Sequence, residues 1–196
     1  MPLGWNEIRS RAVAFSRDWA GESREDAEAK TFWDDFFTVF GLRRRQVASF
    51  EEPVKNIRGS YGFIDLFWKG VLLAEHKSRD KNLGKAHAQA MDYIQDLQRE
   101  GRGEEVPRYV IISDFARIAL HDLEEDQSHE LPLAELHENV HLFGFIPGYK
   151  QHRIEAEDPI NIKAVQIMGD LHDALEAGGY SGHALERMLV GVLFCL

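Results

Sequence analysis

The chain has 196 residues, 44% of them apolar and 29% charged, with a formal net charge of −10. That length supports one domain, or one with a short appendage, and a core that stands without staples. A single cysteine, Cys195, excludes a disulfide framework and a cysteine-cluster zinc site and points to a reducing compartment. No run of about 18 apolar residues suggests a membrane span, and Met1–Asn6 lacks a signal-peptide pattern, so the expectation is a cytoplasmic protein. The charge is uneven. Residues 41–108 hold 13 Lys/Arg against 10 Asp/Glu, whereas the rest hold 10 against 23. A locally basic middle in an acidic chain suits contact with phosphate through one face.

The first helical stretch runs from about Asn6 to Trp19. A second begins near Ser23, with Asp26 three residues on as a loose capping box. Its stripe of Ala29, Phe32, Trp33, Phe36, Phe37 and Phe40 is spaced for a core face, and Gly41 stops it. Residues 46–51 alternate as a short strand. Two further runs, 62–68 and 71–78, bracket Lys69-Gly70 and read as a β-hairpin. A helix is predicted over 83–99, a strand buried on both faces over 109–113, and a neighbouring strand over 117–123. Leu131–Leu136 reads as a short helix after a strand, and 140–146 as a further apolar segment. Composition changes near Tyr149, and helices are predicted from Ile160 and from near His183, separated by Gly178-Gly179. The chain ends inside the apolar run Val190–Leu196, as if cut from something longer. The order implies an α/β or α+β domain.

Asp65, Glu75 and Lys77 are the most informative residues, because each interrupts an apolar strand. A desolvated, unpaired carboxylate costs several kcal/mol there, so three charges on one hairpin need a shared reason. Alternation puts Glu75 and Lys77 on one face and His76 on the other. A two-residue loop at Lys69-Gly70 would separate Asp65 from Glu75. A three-residue loop Trp68-Lys69-Gly70 makes Glu75 the diagonal neighbour of Asp65, with Gly70 in the left-handed third position. Convergence therefore requires an odd loop or a bulge. Two converging carboxylates suit Mg²⁺, which keeps its other sites for water and phosphate oxygens, and a lysine beside them can offset developing charge.

The set Ile64-Asp65 … Glu75-His76-Lys77 resembles the PD-(D/E)XK nuclease core, with Ile64 where the family's name has proline. Gln89-Ala-Met-Asp-Tyr93 resembles the Gln-x-x-x-Tyr element of some of these nucleases; its ends share a helix face. Glu28 resembles the acidic residue supplied by a preceding helix, with Glu22, Glu25 and Asp34 as competitors. Further strings, among them Phe32–Phe37, Gly62–Trp68, Glu75–Ser78, Ile112–Phe115, Gly178–Tyr180 and Leu193–Leu196, are similar to the amino-terminal part of MmeI-like (Type IIL/IIG) single-chain restriction–modification enzymes.

That resemblance implies a restriction-endonuclease-like α/β fold, a mixed central sheet flanked by helices. It implies a nuclease domain over 1–150 and the start of a helical connector over 151–196. The implied activity is Mg²⁺-dependent hydrolysis of DNA phosphodiesters, with Mn²⁺ as substitute. Asp65 and Glu75 would be metal ligands, Lys77 the third catalytic residue, and Gln89, Tyr93 and Glu28 supporting residues. Implied partners are double-stranded DNA and the methyltransferase and target-recognition domains of a longer chain. S-adenosylmethionine would be used only by that longer chain, since no methyl-donor loop or Asn-Pro-Pro-Tyr motif occurs here. No membrane partner is implied, and a dimer is possible.

Lys55, Arg58, Lys81 and Lys85 flank the hairpin and are the candidate contacts to DNA phosphates, ahead of Arg43-Arg44-Arg45. The nine histidines are scattered; His137 and His141 have helical ligand spacing but no evident third ligand. The rival readings are an inactive nuclease-fold module that binds DNA or protein, against which the intact Asp–Glu–Lys set argues, and a repair exonuclease.

Overall fold

In the computed structural model, contacts divide the chain into Met1–Lys150 and Gln151–Leu196. The structure describes residues 3–149 and position 178. The predicted connector, its two helices and Cys195 lie outside the described residues.

Two helices lead, α1 (Trp5–Trp19) and α2 (Glu25–Val39). There follow β1 (Ser49–Lys55), β2 (Tyr61–Trp68), β3 (Leu72–His76), α3 (Leu83–Arg99), β4 (Tyr109–Ser113), β5 (Arg117–Asp122) and β6 (Gln127–Pro132). The six strands form one sheet in the order β1-β2-β3-β4-β5-β6. Only β3 and β4 are parallel, and α3 is the crossover that a parallel pair requires. The remaining pairs are antiparallel. The architecture is thus the expected α/β one, a mixed sheet flanked by helices.

Two apolar layers hold the sheet. On one face α1 and α2 bury Phe15, Trp19, Phe32, Trp33, Phe36 and Phe40 against Leu66, Leu72, Ala74 and Ile111. On the other α3 buries Leu83, Ala86, Ala90, Ile94 and Leu97 against Ile64, Phe67, Leu73, Val110 and Ile112. Because both faces are covered, β3 and β4 are buried at every position, which is why Tyr109–Ser113 reads as an unbroken apolar run. Phe32 is fully buried and its ring lies 5.0 to 5.5 Å from those of Phe15, Trp19, Trp33 and Phe115. Phe32→Ala is expected to cost about 3–5 kcal/mol, read as a lower denaturation midpoint at unchanged slope.

Three expectations need correction. The capping box at Ser23 does not form: α2 starts at Glu25, and the Ser23 and Arg24 amides donate to Glu22 Oε1, each at 2.8 Å. The strand expected over 46–51 lies at Ser49–Lys55, because residues 44–46 close a 3₁₀ turn in which the buried Arg44 pairs with Asp34 at 2.8 Å. β6 went unread as a strand because Gln127–Glu130 is polar; it is an exposed edge strand with little to bury.

Candidate active site

The site is made where the central hairpin splits. β2 and β3 pair Trp68 with Leu72, Phe67 with Leu73 and Leu66 with Ala74, and the ladder ends there. The loop is three residues long, as convergence requires, but it is Lys69-Gly70-Val71 rather than Trp68-Lys69-Gly70. Gly70 sits at its centre with φ +69°, and the Val71 amide donates to the Trp68 carbonyl at 2.9 Å. This two-residue shift keeps the parity and makes Asp65 the direct opposite of Glu75 rather than its diagonal neighbour.

Beyond Leu66 the strands separate, and the Asp65 carboxylate fills the gap. Its Oδ2 accepts the His76 amide at 2.8 Å, a donor that an unbroken ladder would have given to a backbone carbonyl. The next strand is irregular at the same level. Phe50 and Leu66 face the α1/α2 layer, while Val54 and Ile64 face α3, although all four are even-numbered. The pleat therefore changes face across Glu51 and Asp65, and Glu51 has φ +55°. A left-handed glutamate costs on the order of 1 kcal/mol, and such strain gathers where a side chain is held for chemistry.

Glu75 is completely buried. Lys77 Nζ donates to its Oε2 at 3.1 Å, while Oε1 has no hydrogen-bond partner among the described residues. Burial first, then the nearby Asp65 charge, pushes the Glu75 carboxyl up to about 7, against the opposing pull of Lys77. Burial also raises Asp65, with the His76 amide and Lys77 pulling the other way. Burial acts to lower Lys77, but Glu75, Asp65 and Glu25 together raise it, so the ammonium stays charged. His76 points to the other face, as alternation requires, packed among Phe32, Trp33 and Phe115. Its burial holds it near 3, hence neutral.

On α3, Gln89 Nε2 donates to the Tyr93 hydroxyl at 3.1 Å. Tyr93 is raised, mainly by burial and partly by the charges of Glu75 and Asp65, so it lies within their field. Its ring rests against Gly62: a Cβ at that position would be 2.6 Å from Tyr93 Cε1. The cleft beside it, about 460 Å³, is lined by Arg58, Gly62, Gln89, Asp92, Tyr93 and Arg99 among others.

Glu28 is not brought to the site. Its carboxylate turns back to Arg24 at 4.0 Å. Glu25, one of the competitors, takes the position instead: its Oε2 accepts from the Ser78 amide at 2.6 Å and the Ser78 hydroxyl at 2.8 Å, directly after Lys77. The physical reason is the start of α2, since Glu25 is its first residue and Glu28 lies most of a turn further on. Glu25 and Glu51 line a second cavity with Asp65, Trp33 and Phe50. Sequence reasoning missed Glu51 and Ser78. Glu51 had a usable signal, since it falls opposite Asp65 once β1 and β2 are aligned.

Lys55, Arg58, Lys81 and Lys85 are all exposed, and among the described residues none has a carboxylate within 4 Å of its side-chain nitrogens. Arg44 is spoken for, by Asp34, the Ala48 carbonyl and the Phe50 ring. Among the described residues no cluster of three or more His, Cys, Asp or Glu side chains has metal-holding geometry, and no helix is long and apolar enough to cross a membrane.

Fold and site together define an α/β domain with two carboxylates and a lysine gathered at the split of its central hairpin. The chain belongs to the MmeI N-terminal domain family, which matches it over residues 10–178. Among solved structures it is similar to a DrdV–DNA complex determined by cryo-EM, at 16% identity and a TM-score of 0.42. That match covers 88% of this chain and 16% of the other, so the chain spans about a sixth of that protein's length. No curated protein matches.

Proposed function

We propose that residues 1–150 are a Mg²⁺-dependent endonuclease domain of the PD-(D/E)XK type that hydrolyses phosphodiesters of double-stranded DNA. Residues 151–196 would begin the connector to the methyltransferase and target-recognition domains of a longer, cytoplasmic restriction–modification enzyme, which alone would use S-adenosylmethionine. Family membership supports the restriction-enzyme setting.

The observation that carries the chemistry is Glu75 Oε1. A fully buried carboxylate oxygen without a donor is costly, and this one lies beside a second carboxylate and a lysine. A divalent cation would satisfy it, and a hard ion that takes one or two carboxylates suits Asp65 and Glu75. When bound, such an ion makes water more acidic and offsets charge on the phosphate.

The chain's own residues do the rest. The His76 amide fixes Asp65, so the carboxylate needs no reorganisation. Lys77 keeps its proton and holds positive charge 3.1 Å from Glu75, where negative charge grows on the phosphate during attack. Glu25 anchors Ser78 and with it the segment that positions Lys77. Gln89 and Tyr93 wall the site on the α3 side. Lys55, Arg58, Lys81 and Lys85 supply salt-sensitive phosphate contacts without base readout.

Duplex binding by the 196-residue chain tests the interface. Affinity is expected to be weak and without sequence preference. Each of Lys55→Ala, Arg58→Ala, Lys81→Ala and Lys85→Ala should reduce the slope of log K against log salt by about 1. A strong preference for one duplex sequence in this chain alone would contradict the reading, as would a slope unchanged by all four substitutions.

A further inference from the structure

The outer half of the β1–β2 hairpin carries a feature that the cleavage chemistry does not use. Among the described residues the large apolar side chains that stand exposed are Val13, Ile57, Tyr61 and Phe63, and three of these four lie on this hairpin. Phe63 is 51% exposed, Tyr61 62% and Ile57 77%. Apolar surface gathered in one place on an otherwise charged protein marks a binding surface.

Its placement relative to Asp65 is ordered. Gly62 lies under the Tyr93 ring and Ile64 is buried in the α3 layer, so the even positions of outer β2 face α3. Tyr61 and Phe63 then follow one another along the opposite face, in a step of about 6.6 Å, and lead to Asp65, where the pleat changes face. Across the ladder, Phe63 is paired with Pro53 and Tyr61 with Lys55, both exposed. The aromatic row thus begins one step from the site and runs outward to the turn.

The turn is held stiffly. Asn56 accepts the Arg58 and Ser60 amides through Oδ1, its own amide donates to the Ser60 carbonyl at 2.8 Å, and Gly59 supplies φ +83°. A preformed hairpin presents Ile57, Tyr61 and Phe63 without an ordering cost on binding. The charge around them selects the partner. Lys55 is paired across the ladder with Tyr61 and Arg58 lies in the adjoining turn, and among the described residues neither has a carboxylate within 4 Å of its side-chain nitrogens, on a chain whose net charge is −10. A protein partner or a second copy would usually find such unpaired cations unfavourable at an interface core, whereas a polyanion with stackable apolar faces uses both features.

Resting on the nuclease reading above, we infer that the outer β1–β2 hairpin is a DNA wedge. Lys55 and Arg58 seat it on the backbone, and Phe63 and Tyr61 enter a base step next to the phosphate that Asp65 faces. Parting the bases there bends the duplex toward the site and exposes one phosphate to it.

The test uses the 196-residue chain with duplexes carrying 2-aminopurine at successive positions, in Ca²⁺ to suppress cleavage. Wild type should raise the fluorescence several-fold on binding, as bases unstack. Phe63→Ala and Tyr61→Ala should abolish that rise and weaken binding about ten-fold, with the melting temperature unchanged because both positions are exposed. Lys55→Ala and Arg58→Ala should weaken binding but keep the rise in the bound complex. Unchanged affinity and fluorescence in the double variant Tyr61→Ala/Phe63→Ala would overturn the wedge. So would self-association of the wild type, lost in that variant while DNA binding stays intact. A fluorescence rise kept in wild type, with Asp65→Ala in the longer enzyme still cleaving DNA, would sink the nuclease reading and leave the wedge standing. No affinity of wild type for any duplex would sink both.

Discussion

Asp65→Ala or Glu75→Ala, placed in the longer restriction–modification enzyme proposed above, is expected to cut Mg²⁺-dependent DNA cleavage by at least about 10³-fold, a loss of roughly 4 kcal/mol of transition-state stabilisation. Lys77→Ala should cost about 10²–10³-fold, since it removes charge stabilisation but leaves both carboxylates. Adenine methylation of the same sites should be untouched, because specificity and methyl transfer would reside in other domains. Cleavage should run in Mg²⁺ or Mn²⁺ and fail in Ca²⁺. Parallel cleavage and methylation assays on one plasmid check this. A Glu75→Ala enzyme that cuts at the wild-type rate would show that the site has been assigned to the wrong residues.

The second large effect is a stability that depends on pH through Glu75. Its folded-state value, about 7, is raised above the ordinary 4.5 chiefly by burial. A raised acid stabilises the fold below its unfolded value and loses that contribution as pH climbs through the folded one. Wild type should therefore lose roughly 3 kcal/mol between about pH 4.5 and pH 7, relative to a variant that cannot ionise there. Glu75→Gln is that variant. The two proteins should be nearly equal in stability at pH 4.5, and the variant should be ahead at pH 8. Urea midpoints across this range are the readout, and parallel curves for the two proteins would contradict the assignment. Saturating Ca²⁺ at pH 8 should restore wild type by about 2.7 kcal/mol at a hundred-fold excess over Kd, and leave the variant unchanged.

How much of this was legible follows from what each residue type signals. The aromatic stripe of α2, the period of α3 and the apolar β4 lie in the sequence as periodicity, because each buries a face defined by its own element. Asp65, Glu75 and Lys77 stand out because charge inside an apolar strand needs a reason, and loop parity links them. The register itself was not legible. Nothing in Trp68-Lys69-Gly70-Val71 says which three residues form the loop, since that is decided by pairing β3 with β4 on its far side. Glu28 was preferred to Glu25 because a helix start is uncertain by a residue or two, and three residues carry a carboxylate about 4.5 Å along a helix. Glu51 and the polar edge strand β6 escaped for a related reason. A left-handed break and an edge are properties of neighbours, not of local composition.

The central claim is that Asp65 and Glu75 together hold a divalent cation. Titration of Mn²⁺ into the 196-residue chain at pH 8, followed by electron paramagnetic resonance of the free ion, tests it most directly. The account predicts a site in wild type that Mg²⁺ displaces, that weakens as pH falls through about 7, and that is lost in Glu75→Gln and in Asp65→Asn. Equal Mn²⁺ binding by wild type and both variants, or no binding by wild type at pH 8, would contradict it.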